Sequence, residues 1–276
     1  MEVRFENSSK ETAGMHTQEL RDNFLVQQLM VDDQIKLVYS HYDRVIIGGV
    51  KPVGKTISLE AHPELRADYF LERRELGIIN VGGTGIVEAD GQAFELNKLD
   101  ALYIGKGARI VSFKTVEGGN PAVFYLLSAP AHQTHPTRKL AKEEATPSVL
   151  GDQTTANLRT IYKYIHAEGL KSCQLVMGLT VMNPGSVWNT MPSHTHTRRM
   201  EAYFYFDVLE EQRVFHFMGQ PQETRHLLVA NHEAIISPPW SIHSGCGTAA
   251  YGFIWGMAGE NYKYTDMDPA PLKDLR

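Results

Sequence analysis

The stretch LERRELGIINVGGTGIVEADGQAFELNKLDALYIGKG, residues 71–107, decides the architecture. It breaks into short apolar runs, ELGIIN, GIVEA, QAFEL and DALYI, separated by glycine, asparagine and lysine. Runs this short, rich in Val, Ile, Tyr and Phe and bounded by turn formers, read as strands. ADGQ at 89–92 reads as a tight hairpin, because Asp-Gly tolerates the positive φ that the turn requires. NVGGTG at 80–85 lacks both the GxGxxG spacing and a following helix, so it is a glycine turn and not a nucleotide loop.

Residues 197–245, TRRMEAYFYFDVLEEQRVFHFMGQPQETRHLLVANHEAIISPPWSIHSG, repeat the order of features. Each stretch opens on paired arginines and a glutamate, and continues through a strand, a glycine turn and a strand to a short apolar run. Matching features lie roughly 125 to 133 positions apart, which points to a duplication. Strand texture extends outward through IKLVYSHYDRVIIGGV, RIVSF and AVFYLL in the first half, and through TIYKYI, CQLVMGLTVM and YGFIWGM in the second. The prediction is an all-β chain with a duplicated barrel and few helices. One short N-terminal helix is expected over residues 17–30, capped by Thr17, with Leu20, Phe24 and Leu25 on one face. The expected organisation is an N-terminal arm and first barrel over 1–130, a linker over 131–156, and a second barrel over 157–276 that ends in a polar tail. The linker is polar and carries two prolines, with a helical turn expected at RKLAKEEA.

Bulk properties exclude several classes. Of 276 residues, 42% are hydrophobic and 21% charged, the balance of a globular protein. The net charge of −5 and the absence of a basic block argue against nucleic acid. No apolar run approaches the ~18 residues of a membrane helix. The N-terminus has no apolar signal core, and two scattered cysteines, Cys173 and Cys246, suit a reducing compartment. A cytoplasmic location is expected, with no nucleic-acid or membrane partner.

HTHTRRME at 194–201 carries the chemistry. On a strand, residues two apart share a face, so His194 and His196 project together. Glu201 has the opposite parity and converges with them only if a turn or bulge lies within TRRM. A helix fits worse, because His196 would leave the face shared by His194 and Glu201. His243, in ISPPWSIHSG, follows a strand and a proline-rich turn, at a distance that returns the chain to the neighbouring strand of a barrel. Three imidazoles and one carboxylate suit Zn, Fe, Mn, Ni or Co, with a position left for substrate.

These motifs resemble those of the cupin superfamily, whose members are jelly-roll barrels binding one metal inside. A bicupin would account for the two halves. The first half keeps Glu75 in FLERRELG but has no His-x-His and no late histidine near Ile110, so its barrel is expected to be metal-free and structural. Across nearly the whole chain, YSHYDRVIIGGVKP, YFLERRELGIINVGG, NTMPSHTHTRRMEAYFYF, FHFMGQPQETRH, SPPWSIHSG and FIWGMAGEN resemble the 5-keto-4-deoxyuronate isomerase family. The resemblance implies one Zn2+ per chain on His194, His196, Glu201 and His243. It also implies a homo-oligomer, a hexamer, and an aldose–ketose isomerisation in uronate and pectin catabolism. The substrate would be 5-dehydro-4-deoxy-D-glucuronate and the product 3-deoxy-D-glycero-2,5-hexodiulosonate.

Such a reaction needs a Lewis acid for the developing oxygen charge, a general base, and a guanidinium for the substrate carboxylate. Glu223, in the hairpin GQPQETRH, is the first candidate base and His226 the second; Glu201 is a third. Arg159 and Arg225 are the favoured carboxylate binders over Arg198 and Arg199, whose counterparts Arg73 and Arg74 suggest a structural role. Trp240, with Trp188, is expected to close the barrel and shape the pocket. Two further classes use the same ligands: an iron-dependent oxygenase, and a non-catalytic sugar-acid-binding protein.

Overall fold

A computed structural model describes residues 1–145 and 147–276. The strands form two seven-stranded and two four-stranded sheets, one of each built mainly from each half of the chain. The first large sheet runs, edge to edge, Glu2–Arg4, Ile35–Ser40, Ile46–Val50, Phe124–Pro130, Arg74–Asn80, Ala101–Ile104 and Arg138–Leu140. The second runs Ser148–Leu150, Arg159–Ile165, Val176–Met182, Gly252–Gly259, Arg199–Phe206, Ala234–Ser237 and Leu25–Val26. The small sheets are Ile57–Ser58, Val111–Thr115, Gly85–Ala89, Gln92–Leu96, and Trp188–Asn189, Ser244–Gly247, Val214–Gln220, Glu223–Val229. The two halves share one strand order, as a duplicated jelly roll requires. The hairpin at ADGQ forms as expected, with Asp90 and Gly91 both at positive φ.

Register corrects one sequence equivalence. Leu76 pairs with Ile104, and Glu201 pairs with Ser237 at the corresponding point of the second sheet. The counterpart of Glu201 is therefore Leu76, and Glu75 matches Met200. Glu75 points to the opposite side of its sheet.

The strands Arg74–Asn80 and Arg199–Phe206 are buried along their whole length. One face of each looks into its own barrel and the other meets the second barrel. At that junction Tyr125 stacks on Phe204 with centroids 4.7 Å apart. Gly77 lies so close to the other barrel that a Cβ there would sit 2.6 Å from Met177 Sδ. The buried Glu75 carboxylate accepts the backbone N–H groups of Cys173 (2.7 Å), Gln174 (3.0 Å) and Leu175 (2.9 Å), and the Tyr103 hydroxyl (2.7 Å). Asp43 accepts the Met200 N–H at 2.6 Å from the other direction.

The barrel interiors differ. The first is filled by Leu37, Ile46, Leu76, Ile78, Leu102, Phe113 and Phe124. At matching depth the second holds Glu201, Tyr203, Tyr205, His216 and His243, all buried.

Three local expectations change. The helix spans Thr17–Phe24, with His16 at the cap and the Glu19 carboxylate accepting the His16 N–H, and a shorter helix, Ser9–Ala13, precedes it. Leu25 and Val26 leave the helix to pair with Ile235 and Ala234, because that sheet edge would otherwise bury unpaired backbone groups. RKL of the expected helical turn is instead a strand on Ala101–Tyr103, completing the other large sheet. Thr146, within the expected linker, lies outside the described residues. Each large sheet thus gains an end strand from beyond the strands of its own barrel.

Glu75→Ala strands three backbone N–H groups between the barrels. We expect a loss of about 3 kcal/mol or more of unfolding free energy, read by chemical denaturation. A loss below about 1 kcal/mol would show that water replaces the carboxylate.

Candidate metal centre

The strand Ser193–Thr195 carries His194, and His196 follows it directly. A turn at Thr197 and Arg198, closed by Arg199 N–H donating to the His196 carbonyl (3.2 Å), restores the parity of Glu201 on the next strand. His243 enters just before Ser244–Gly247, after the strand that pairs with Glu201. The four side chains meet inside the second barrel.

Their ligand atoms form a closed ring of short distances. His194 Nε2 is 3.1 Å from His196 Nε2 and 2.9 Å from His243 Nε2. Glu201 Oε2 is 2.9 Å from His196 Nε2 and 3.0 Å from His243 Nε2. All four lie within 4.8 Å of one another. With metal bonds of about 2.1 Å, neighbouring ligand atoms lie roughly 3.0 Å apart at right angles and roughly 3.4 Å apart at tetrahedral angles. The spacing fits one cation. His196 Nδ1 donates to the Asp266 carbonyl, which leaves the Nε2 lone pair turned inward, the tautomer that a metal requires. The residues present therefore fit a divalent metal, and the donor set selects a borderline ion over Mg or Ca.

The electrostatics agree. Burial, reinforced by His243, pushes the His194 imidazole down to about 2, so it is neutral at physiological pH. Burial alone would raise the Glu201 carboxyl; His243 and His196 overcome it and hold the group well below the usual range. A neutral His194 beside an ionised Glu201 matches the protonation states of a ligand set.

A cleft of about 310 Å³ opens onto this cluster. His194, His196, Glu201 and Arg159 line it, with Tyr203, Trp255 and Tyr264 as an aromatic wall. Arg159 donates to the Asn157 carbonyl at 2.9 Å and has no carboxylate partner among the described residues. Arg198 is bound to Asp266 and Asp268, and Arg199 spends its donors on the carbonyls of Lys263, Tyr264 and Asp266.

Glu223, His226, Arg225 and Trp240 do not line the cleft. Glu223 is exposed and paired with Arg225 at 3.0 Å, and Arg225 also donates to the Ala13 carbonyl. His226 is exposed, on the outer face of the small sheet, because strand parity sends Leu227 inward and His226 out. Trp240 packs edge-on against Phe24 and donates to the Asn7 carbonyl, so it closes the barrel against the N-terminal arm.

Sequence reasoning missed the C-terminal segment, read as a polar tail. Asp268–Ala270 pairs with Ser193–Thr195, Asp266 holds His196, and Tyr264 and Met267 line the cleft. It also missed Tyr203 and Trp255, although both lie on the strands that carry or neighbour Glu201, at even spacing.

The comparisons agree with this geometry. The KduI/IolB family profile matches residues 24–271. A 4-deoxy-L-threo-5-hexosulose-uronate ketol-isomerase from Halalkalibacterium halodurans is 55% identical over 276 residues, covering 100% of both chains. The protein of the same name from Escherichia coli O157:H7 is 54% identical over 278 residues, again covering 100% of each. The crystal structure of an IolB-like protein from Salmonella typhimurium LT2 superposes with a TM-score of 0.64 at 16% identity, covering 88% of this chain and 95% of that one, and so shares the fold. The family match spans both barrels and all four ligand residues: this chain belongs to the KduI/IolB family.

Proposed function

We propose that this chain is a metal-dependent ketol-isomerase converting 5-dehydro-4-deoxy-D-glucuronate to 3-deoxy-D-glycero-2,5-hexodiulosonate. The observation that carries the reading is the meeting of four metal-ligand atoms with an unpaired guanidinium in one cleft, in a chain 55% identical over its full length to an isomerase of that name. Zinc is the metal we assign to His194, His196, Glu201 and His243. When bound, it supplies Lewis acidity to the two adjacent oxygens on which charge builds during carbonyl transfer.

The chain's own residues do the rest. Arg159 orients the substrate carboxylate, since its guanidinium faces the cleft without a competing anion. Burial holds the Tyr203 phenol well above its ordinary range and raises that of Tyr264, so both stay protonated and can donate to developing alkoxide oxygens. Tyr203 is oriented by Thr190, 3.1 Å away. Glu201 is the one carboxylate lining the cleft among the described residues. Its Oε2 meets the histidines, and Oε1 has no partner among the described residues, so we assign the proton transfer between the two carbons to Oε1. A homohexamer in the cytoplasm is part of the same proposal, tested by sedimentation of the purified protein and by fractionation.

The deciding experiment is proton NMR of the metal-loaded protein with the 4-deoxy-5-keto-uronate in D2O. We expect loss of the aldehyde-end signal with one deuterium incorporated and no oxygen consumed. Absence of conversion would end the substrate assignment, and oxygen uptake would move the site to the oxygenase class.

Two variants separate the parts. Arg159→Gln should lower kcat/KM about hundredfold, chiefly through KM, as loss of a charge-assisted pair implies. Glu223→Gln and His226→Ala should each leave kcat/KM within about twofold; a collapse in either would return the base to the outer hairpin. Chelation should remove activity and lower stability together. At a metal concentration a thousandfold above Kd, the bound ion contributes about 4 kcal/mol to the folded state. Elemental analysis of His243→Ala should find no stoichiometric metal.

A further inference from the structure

The metal-free barrel has a mouth of its own. A cavity of about 250 Å³ lies there, lined by Tyr39, Phe70, Glu64 and three arginines, Arg44, Arg73 and Arg74. Arg74 is 6% exposed. Its Nε donates to Ser128 Oγ (3.0 Å), and its Nη2 to the carbonyls of Arg44 (2.6 Å) and Ser128 (2.9 Å). All three acceptors are neutral, and Nη1 has no partner among the described residues. The neighbouring carboxylate, Glu75, points to the opposite face of the strand and is held by four donors. A buried guanidinium without a counter-charge is costly. Burial pulls it down to about 10, which still leaves it charged at neutral pH.

The other two arginines add to the same field. The Arg44 side chain is exposed and makes no hydrogen bond or ion pair among the described residues. Arg73 donates to the carbonyls of Leu65 and Arg66 and meets Glu72 at 3.7 Å. Glu64, exposed, is the single carboxylate on the wall among the described residues.

The duplication shows what is missing. Arg199, the counterpart of Arg74, is fully buried because the segment after the strand Gly252–Gly259 folds over it and offers the Lys263, Tyr264 and Asp266 carbonyls. No such segment covers Arg74 among the described residues. The position equivalent to the mouth of the metal barrel is an open, positively charged cavity with an aromatic wall, Tyr39 lying 5.9 Å from the Arg74 guanidinium carbon.

We propose that the mouth of the first barrel is a second ligand site, in which Arg74 and Arg44 bind the oxyanion of a small hydroxylated metabolite against Tyr39 and Phe70. The carboxylate of a sugar acid and a phosphate share this chemistry. Planar guanidinium pairs favour both, and an aromatic wall suits the apolar face of a polyol chain.

The test uses D-gluconate, which has no carbonyl to isomerise, and inorganic phosphate, titrated calorimetrically into the full-length metal-loaded protein. Arg159→Gln serves as background so that binding at the metal cleft is suppressed. We expect one gluconate per chain in that background, weakened about tenfold by Arg44→Asn and abolished by Arg44→Glu. Both substitutions remove a side chain that holds nothing else, and asparagine accepts the positive φ of Arg44, so folding is retained. Phosphate binding without gluconate binding, lost in Arg44→Glu, would support the oxyanion site and assign it to phosphorylated ligands. If neither probe binds in the Arg159→Gln background, or if binding there is unchanged in both Arg44 variants, the proposal fails.

Discussion

Two strands, Arg74–Asn80 and Arg199–Phe206, have no exposed residue, because each lies between the inside of its barrel and the back of the other. That double burial makes strand parity decisive. Every odd or even step commits a side chain either to a barrel interior or to the junction between barrels. Glu75 falls on the junction side, where three consecutive N–H groups and a phenol surround it. Glu201, one register step away in the equivalent frame, falls inside, where the histidines are. Two glutamates that look alike in sequence thus serve as an anchor between the barrels and as a member of the candidate metal cluster.

The unequal interiors follow from what each barrel must accommodate. An apolar core such as that around Leu76, Ile78 and Phe124 needs no hydrogen bonds and contributes about 25 cal/mol for each Å² withdrawn from water. The second barrel buries imidazoles, phenols and a carboxylate, each of which costs stability unless partnered. Partners are supplied in short chains. Tyr205 and His216 share a bond of 2.7 Å, Asn189 donates to Tyr251 at 2.6 Å, and Tyr203 meets Thr190. Some groups have no partner among the described residues, including His216 Nε2, Asn189 Oδ1 and Ser244 Oγ. Uncompensated burial of this kind belongs to a functional interior rather than to one selected for packing.

Much of the site could be read in the residues because its signals are local. The spacing of His194 and His196, the turn demanded within TRRM, and the return of the chain at His243 all follow from strand geometry and are found as expected. What could not be read is long-range. Glu223 and His226 sit in a polar hairpin near the metal strands in sequence, yet in the small sheet His226 faces outward and Glu223 is exposed at the strand's start, paired with Arg225, so neither lines the cleft. The C-terminal residues look like solvated tail because they lack periodicity; their role comes from pairing with Ser193–Thr195 some 75 residues away, a contact that local pattern does not encode. The strand Leu25–Val26 is hidden for the same reason, its helical neighbours dominating the local pattern while a distant sheet edge claims it.

The C-terminal segment ties these threads together. Its acidic residues are already committed: Asp266 and Asp268 hold Arg198, and ion pairing with Arg198 keeps the Asp266 carboxyl down at about 2. The Asp266 carbonyl accepts from His196, and the carbonyls of Lys263, Tyr264 and Asp266 occupy Arg199. One segment therefore holds the His196 ring of the candidate metal cluster, ion-pairs Arg198, engages Arg199 through backbone carbonyls, and contributes Tyr264 to the cleft wall. With Arg198 and Arg199 so engaged, Arg159 lines the cleft without a carboxylate partner among the described residues. On the function proposed above, selectivity for a single orientation of a carboxylate would follow as much from the arginines engaged elsewhere as from Arg159.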